Sequence, residues 1–159
     1  MLAPPGSSGT TRLGQARLLA LLIPSVLLGG ALFSQYVGGL YPCEMCYWQR
    51  WPHAAAILLV LGAFATPNRA PLLVLLAALA IAISGAIGVL HAGVEMGWWE
   101  GVTHCTAIGA TSLQDILSVP LVRCDQVQWS FLGISMAGWN ATISLAGAAA
   151  IVALARSRA

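Results

Sequence analysis

The stretch Pro42-Cys43-Glu44-Met45-Cys46-Tyr47-Trp48-Gln49-Arg50, with the apolar run Ala54 to Ala65 close behind it, decides how the chain folds. A helix needs about 20 apolar residues to cross a hydrocarbon core, and the run from Ala54 supplies twelve. Counting back about 20 residues from Ala65 reaches Cys46. The helix is therefore long enough only if it takes in Cys46 and Arg50. That puts Cys46 at the membrane boundary and Arg50 roughly 6 Å deeper, at about 1.5 Å per residue. Pro52 allows a kink or a restart that would move this depth by about one turn.

Composition agrees with a membrane protein. Of 159 residues 58% are hydrophobic and 8% charged, against roughly 25% charged in a soluble domain. A formal charge of +2 offers no basic face for nucleic acid, and there is no Gly-rich phosphate loop and no internal repeat.

Charges this sparse mark topology. No charge falls between Arg17 and Glu44, so a span over about 18–36 is expected, with others over about 46–65, 70–90 and 131–155. Pro24 and Gly29-Gly30 inside the first are tolerated where neighbouring helices cover the backbone. The predicted fold is a single all-α integral membrane domain over 1–159, a four-helix transmembrane bundle behind a flexible tail at 1–15. Four spans put both termini and the short loop Thr66-Pro67-Asn68-Arg69 on one side, with Arg12, Arg17, Arg69, Arg156 and Arg158. Arg50, Arg123 and the five acids Glu44, Glu95, Glu100, Asp115 and Asp125 lie on the other. By the positive-inside rule both termini are cytoplasmic. The loops at about 37–45 and 91–130, the second a long one between helices 3 and 4, then face the periplasm of a bacterial inner membrane. All four cysteines, 43, 46, 105 and 124, fall in or beside these loops, in a compartment that permits disulfides. A cleaved signal peptide built on Arg12, Arg17 and Leu18 to Leu28 is the rival reading, but the charge-free stretch outruns the usual apolar region.

Cys43 and Cys46 stand three apart, the spacing that brings two sulfurs together on a turn or first helical turn. If that turn opens a helix, its free N–H groups and Arg50 favour thiolate, the form that attacks disulfides. Arg50 follows Cys46 by four residues and shares its helical face; the bland alternative is an arginine snorkelling to headgroups. Glu44 works the other way, since a nearby negative charge disfavours thiolate. His91 closes the third span at a similar depth and is a candidate donor to a bound acceptor, or else an ordinary interfacial histidine. His53 and His104 carry less signal.

Cys105 and Cys124 are nineteen positions apart, too far for a local dithiol turn. Of the three pairings four cysteines allow, 43–46 with 105–124 is preferred because the first pair is close by sequence. Between them Leu113, Ile116, Leu117 and Leu121 follow helical spacing, with Ser112 and Asp115 as a weak capping box, which predicts a short helix lying on the membrane. Trp98, Trp99 and Trp129 fit as interfacial anchors. A structural zinc site usually shows two close pairs, which the 105/124 spacing lacks, so no metal is expected. Covalent haem attachment needs a histidine where Tyr47 stands. Two inert structural disulfides remain, and they leave Arg50 unexplained.

Two cysteine pairs on one face, one mobile and one at the membrane surface, suggest a relay by thiol–disulfide exchange. With no flavin or haem signature, a lipid-soluble quinone is the natural acceptor at that depth. The segment Cys43 to Arg50 resembles the Cys-x-x-Cys-x-x-Gln-Arg motif of the disulfide bond formation protein B family (DsbB). Gly97-Trp98-Trp99, Arg123-Cys124-Asp125 and Trp129 to Asn140 resemble that family as well. The resemblance implies a four-helix inner-membrane enzyme that reoxidises a periplasmic thioredoxin-fold dithiol oxidase of the DsbA type and reduces ubiquinone or menaquinone, supporting protein disulfide formation. By position it makes Cys105 the site of the mixed disulfide, Cys124 its resolving mate, Cys43–Cys46 the disulfide that reoxidises them with Cys46 facing quinone, and Arg50 the quinone holder. The alternative from another class is a non-enzymatic membrane docking subunit braced by structural disulfides.

Overall fold

The computed structural model describes residues 7–101 and 122–156. The chain is an all-α membrane protein. Among the described residues four long helices carry it: α1 Ser7–Tyr36, α2 Glu44–Ala65, α3 Ala70–Glu95 and α4 Met136–Arg156. A single 3-10 turn, Pro67–Arg69, joins α2 to α3. Three helical stretches are long and apolar enough to cross a bilayer, Arg12–Tyr36, Pro67–Glu95 and Met136–Arg156. The polar first half of α2, with Glu44, Gln49, Arg50 and His53, keeps it out of that set, although its 22 residues measure about 33 Å at 1.5 Å per residue. Helix α2 runs unbroken through Pro52, and α1 through Pro24, which is fully buried. Helix α1 begins at Ser7, inside the stretch expected to be tail.

The bundle is small inside and large outside. Ala16, Ala20, Ala56, Val60, Ala63, Ala70, Val74, Ala77, Ala78, Ile81, Ala148 and Ile151 form the buried seam. Leu18, Val26, Phe33, Leu58, Phe64, Leu72, Leu79 and Ile83 face outward. Lipid solvates large apolar side chains as well as protein does, so close backbone approach, not exclusion of leucine from water, holds such helices together. Helix α3 approaches the backbone of α4 closely, so that a Cβ on Gly88 would lie 3.0 Å from both the Ala137 carbonyl oxygen and the Ala141 nitrogen. Helices α2 and α4 pack on either side of α3, and α1 closes the bundle against both.

Two helix ends shape the outer rim. Helix α3 ends in a Schellman turn: Gly97 at φ +70° follows Met96, the Gly97 N–H donates to the Val94 carbonyl and the Trp98 N–H to that of Gly93. The chain then folds back, and Trp99 covers Gly93 while donating its indole N–H to the Leu90 carbonyl at 2.9 Å. Trp99 therefore covers the helix end with one edge of its ring, although like Trp98 and Trp129 it remains exposed. The fourth helix begins at Met136, not 131, because Ser130–Phe131 and Ile134–Ser135 pair as a hairpin. Its tip residues Leu132 and Gly133 both have positive φ, the turn geometry that matches strand twist. Ser135 then caps α4, its Oγ accepting the Gly138 N–H at 3.1 Å. Cys105, His104 and the expected membrane-surface helix near 113–121 lie outside the described residues.

Candidate active site

Cys43 is the N-cap of α2. Its Sγ accepts the Cys46 backbone N–H at 3.3 Å, as a serine or aspartate oxygen would at that position. This places the two sulfurs 3.0 Å apart at a helix N-terminus, with Cys43 buried and Cys46 half-buried. Cys124, carried by the segment that follows residue 122, is buried beside them. The Cys43 sulfur, the Cys124 sulfur and a His91 ring nitrogen all lie within 4.8 Å of one another. The dithiol thus has a third thiol in reach, which spacing alone did not predict. The expected 105–124 bridge involves Cys105 and falls outside the described residues.

The Cys43 thiol is pushed well up from its ordinary value by its hydrogen bond to Cys124, then by that to Cys46 and by burial. It stays protonated in the reduced site and donates to the Cys46 sulfur. Beside Cys124, Arg123 forks onto the exposed Asp125 carboxylate and holds that carboxyl below its usual range.

His91 stands on α3 facing Cys43, with Nε2 at 3.5 Å from its sulfur. Its Nδ1 is engaged by Gln49 at 2.9 Å, and the ring also bonds to the Cys124 backbone. His91 lines the cavity described below, but both ring nitrogens are already committed to protein partners. Glu95, one turn further along, has Oε1 at 3.9 Å from His91 Nε2 and accepts a short hydrogen bond from Ser135 Oγ. It ties the end of α3 to the start of α4.

Arg50 leans towards α1. Its guanidinium donates to Gln35 Oε1 at 2.5 Å and to the Ala31 carbonyl at 3.2 Å, over the Tyr47 ring 5.1 Å away. Arg50 Nε is buried with no hydrogen-bond partner among the described residues. The guanidinium, Cys43 and Cys46 all border one cavity of about 660 Å³, walled on one side by α1 between residues 26 and 34 and on the other by Met136, Ala137 and Trp139. Its lining is mostly apolar, in the manner of small-molecule sites with few polar groups.

The sequence reading assigned no role to Glu95, Ser84, Asn140 or Ser144, and quoted Gln49 only as part of a motif. A usable signal existed, because polar side chains inside apolar spans are by default functional. Gln49, His53, Ser84 and Ser144 are all buried, and Asn140 bonds to each of them.

Comparison with known proteins points one way. A family model described as disulfide bond formation protein DsbB matches residues 13–154. A disulfide bond formation protein B of Polaromonas sp. (strain JS666 / ATCC BAA-500) is 32% identical over 89% of this chain and 94% of its own. Proteins of the same description from Chromohalobacter salexigens and Methylococcus capsulatus are 33% and 34% identical, over 79% and 77% of this chain and 80% and 81% of theirs. No solved structure matches the chain.

Proposed function

Because the chain belongs to the disulfide bond formation protein B family, we propose that this membrane protein is a thiol:quinone oxidoreductase. It reoxidises a periplasmic DsbA-type dithiol oxidase and passes the electrons through its cysteines to ubiquinone or menaquinone. The observation that carries the reading is the position of Cys43, whose sulfur lies 3.0 Å from that of Cys46 and within 4.8 Å of that of Cys124, at the rim of the cavity that Arg50 borders. A sulfur with two thiol neighbours can exchange one bond for another without large movement.

The exchange proceeds as follows. With Cys43 and Cys46 joined, a Cys124 thiolate attacks Cys43; the Cys124–Cys43 bond forms, the Cys43–Cys46 bond breaks, and its electron pair leaves on Cys46. Cys105 takes the mixed disulfide with the partner, the role the family resemblance implies. Since Cys43 and Cys124 change bonds in every cycle, their cluster with His91 is a reaction centre and not a metal seat. The cavity fits a quinone head group by its apolar walls and by the buried Arg50 Nε, which has no partner among the described residues. Arg50 would hold a carbonyl oxygen there, and a bound quinone would supply a two-electron, two-proton acceptor. Held by Gln35 and Ala31, the guanidinium is already oriented before anything binds.

In this reading α2 crosses the bilayer with the other three helices, both termini are cytoplasmic, and the cysteines face the periplasm. The charges support it: Arg12, Arg17, Arg69 and Arg156 gather at one end of the helices, and Glu44, Glu95, Glu100 and Asp125 at the other. The test is purified protein with a reduced thioredoxin-fold dithiol partner and quinone. Thiol oxidation should require quinone and vanish in Cys46→Ser. Absence of quinone-dependent oxidation would leave a docking subunit with structural disulfides.

A further inference from the structure

The polar side chains between α2, α3 and α4 form hydrogen bonds that have a direction, and two backbone carbonyls fix it. Asn140 Nδ2 lies 3.1 Å from the Ser84 carbonyl oxygen, and Gln49 Nε2 lies 3.1 Å from that of Met45. A carbonyl only accepts, so both amides can be oriented in one way alone. Asn140 Nδ2 therefore donates to Gln49 Oε1 at 2.7 Å, and Gln49 Nε2 donates to His91 Nδ1 at 2.9 Å. At the far end His53 Nε2 donates to Asn140 Oδ1 at 2.9 Å.

A neutral imidazole has one N–H. With Nδ1 of His91 accepting from Gln49, that hydrogen is on Nε2, the nitrogen 3.5 Å from Cys43 Sγ. The surroundings of Nε2 agree, since the Glu95 carboxylate 3.9 Å from it is an acceptor. From His53 to His91 every donor in the chain points towards Cys43, and such a chain polarises its members in concert.

We infer that Gln49, itself held by Asn140, is a positioning residue that fixes His91 as the Nε2–H tautomer, and that this N–H stabilises the Cys43 sulfur when Cys43 is the leaving group of disulfide exchange. The inference rests on the exchange reading above and adds a residue role to it. When an incoming thiolate attacks Cys124 of a Cys43–Cys124 disulfide, a new bond to Cys124 forms, the Cys43–Cys124 bond breaks, and its electron pair remains on Cys43. The exchange is redox-neutral, and His91 keeps its hydrogen and shares it with the sulfur. Cys43 needs such help: it is 1% exposed, and Cys124, Cys46 and burial all oppose its thiolate. A thiol leaves faster the better its anion is stabilised. The Cys46 backbone N–H supplies one donor and His91 a second. Among the described residues, the charged and titratable groups around the sulfur and its cavity are Tyr41 before α2, Glu44, Cys46, Arg50 and His53 from α2, His91 and Glu95 from α3, and Cys124 and Arg123 from the segment after residue 122.

Two measurements on the reduced full-length chain in detergent test this, and neither needs quinone or partner, so each can fail while the oxidoreductase reading stands. In the first, ¹⁵N-histidine NMR, with His91 assigned through H91Q, should show a pyrrole-type Nε2 and a pyridine-type Nδ1. The opposite tautomer would overturn the inference. Gln49→Leu should turn the single pattern into a mixture of both tautomers; an unchanged pattern would remove Gln49 from its role. In the second, the alkylation rate of Cys43, read by mass spectrometry across alkaline pH, should fall about tenfold in His91→Leu, the equivalent of one pKa unit. His91→Gln keeps a non-titrating N–H at the same reach and should restore the rate to within about twofold of the parent. If His91→Gln is as slow as His91→Leu, or if His91→Leu alkylates at the parent rate, the donor role is wrong.

Discussion

Replacing Asn140 with alanine removes a hydrogen-bonding hub without adding bulk at the tight α3–α4 contact, so its effect should report chiefly on hydrogen bonds. Asn140 bonds three residues on other helices: Gln49 Oε1 at 2.7 Å, His53 Nε2 at 2.9 Å, and Ser84, whose carbonyl at 3.1 Å and Oγ at 3.2 Å share one N–H. Interhelical hydrogen bonds within a bilayer contribute about 0.6 kcal/mol on average and about 1.7 at most. Three at the average give about 2 kcal/mol. The orphaned partners do not raise this much, because His53 Nε2 keeps Ser84 Oγ at 3.0 Å and the Gln49 amide nitrogen keeps both Met45 and His91. Gln49 Oε1 is the one strongly bonded acceptor left bare, which puts the loss between about 2 and 3 kcal/mol. Reversible unfolding in mixed micelles, followed by circular dichroism, measures it. A loss below about 0.5 kcal/mol would mean that these bonds are not formed as described, and the reasoning from their direction would fall with them.

Other outcomes follow from the same geometry. In a chain carrying both Cys46→Ser and Cys105→Ser, mild oxidation should join Cys43 to Cys124, whose sulfurs lie within 4.8 Å; non-reducing peptide mapping that finds both still free would refute their adjacency. Arg50→Ala should raise the KM for quinone about tenfold to a hundredfold, the worth of one charged hydrogen bond, and Arg50→Lys should not restore it, because an ammonium cannot serve Gln35, Ala31 and a ligand in the guanidinium's planar arrangement. An unchanged KM for Arg50→Ala would remove Arg50 from the acceptor site. Gly88→Val should cost about 1–3 kcal/mol by overpacking, since even its Cβ would meet the α4 backbone at 3.0 Å; micelle unfolding at parent stability would show that α3 and α4 can separate freely.

Much of this was legible in the sequence because membranes impose strict lengths. The twelve apolar residues from Ala54 to Ala65 were expected to continue a helix that reaches back to Cys46, and α2 is one helix from Glu44 that carries Arg50 in its interior. The Cys-x-x-Cys spacing predicted two neighbouring sulfurs on a first turn, and Cys43 caps that turn. What spacing cannot express is contact between distant segments. The nearness of Cys124 to Cys43 depends on how the segment from residue 122 packs against the ends of α2 and α3, and no periodicity encodes it. His91 was legible as a boundary histidine, but its partners were not, because they come from α2 and the Cys124 segment. The start of α4 was misplaced for a local reason: Phe131 and Leu132 read as apolar span, while Gly133 and the cap at Ser135 turn them into a hairpin.

The glycine seam and the polar chain are two aspects of one design. A Cβ on Gly88 would lie 3.1 Å from Asn140 Nδ2, so the side chain of Asn140 passes through space that any other residue at position 88 would occupy. Only by that passage does a residue of α4 reach Ser84 on α3 and, beyond it, Gln49 and His53 on α2. In lipid, where burying leucine gains nothing, close approach at small residues is the main way to fasten helices. Here the same closeness lets a buried amide orient Gln49, and through it the imidazole that faces Cys43. The imidazole that faces a reactive sulfur thus owes its orientation to a missing side chain three residues away along α3.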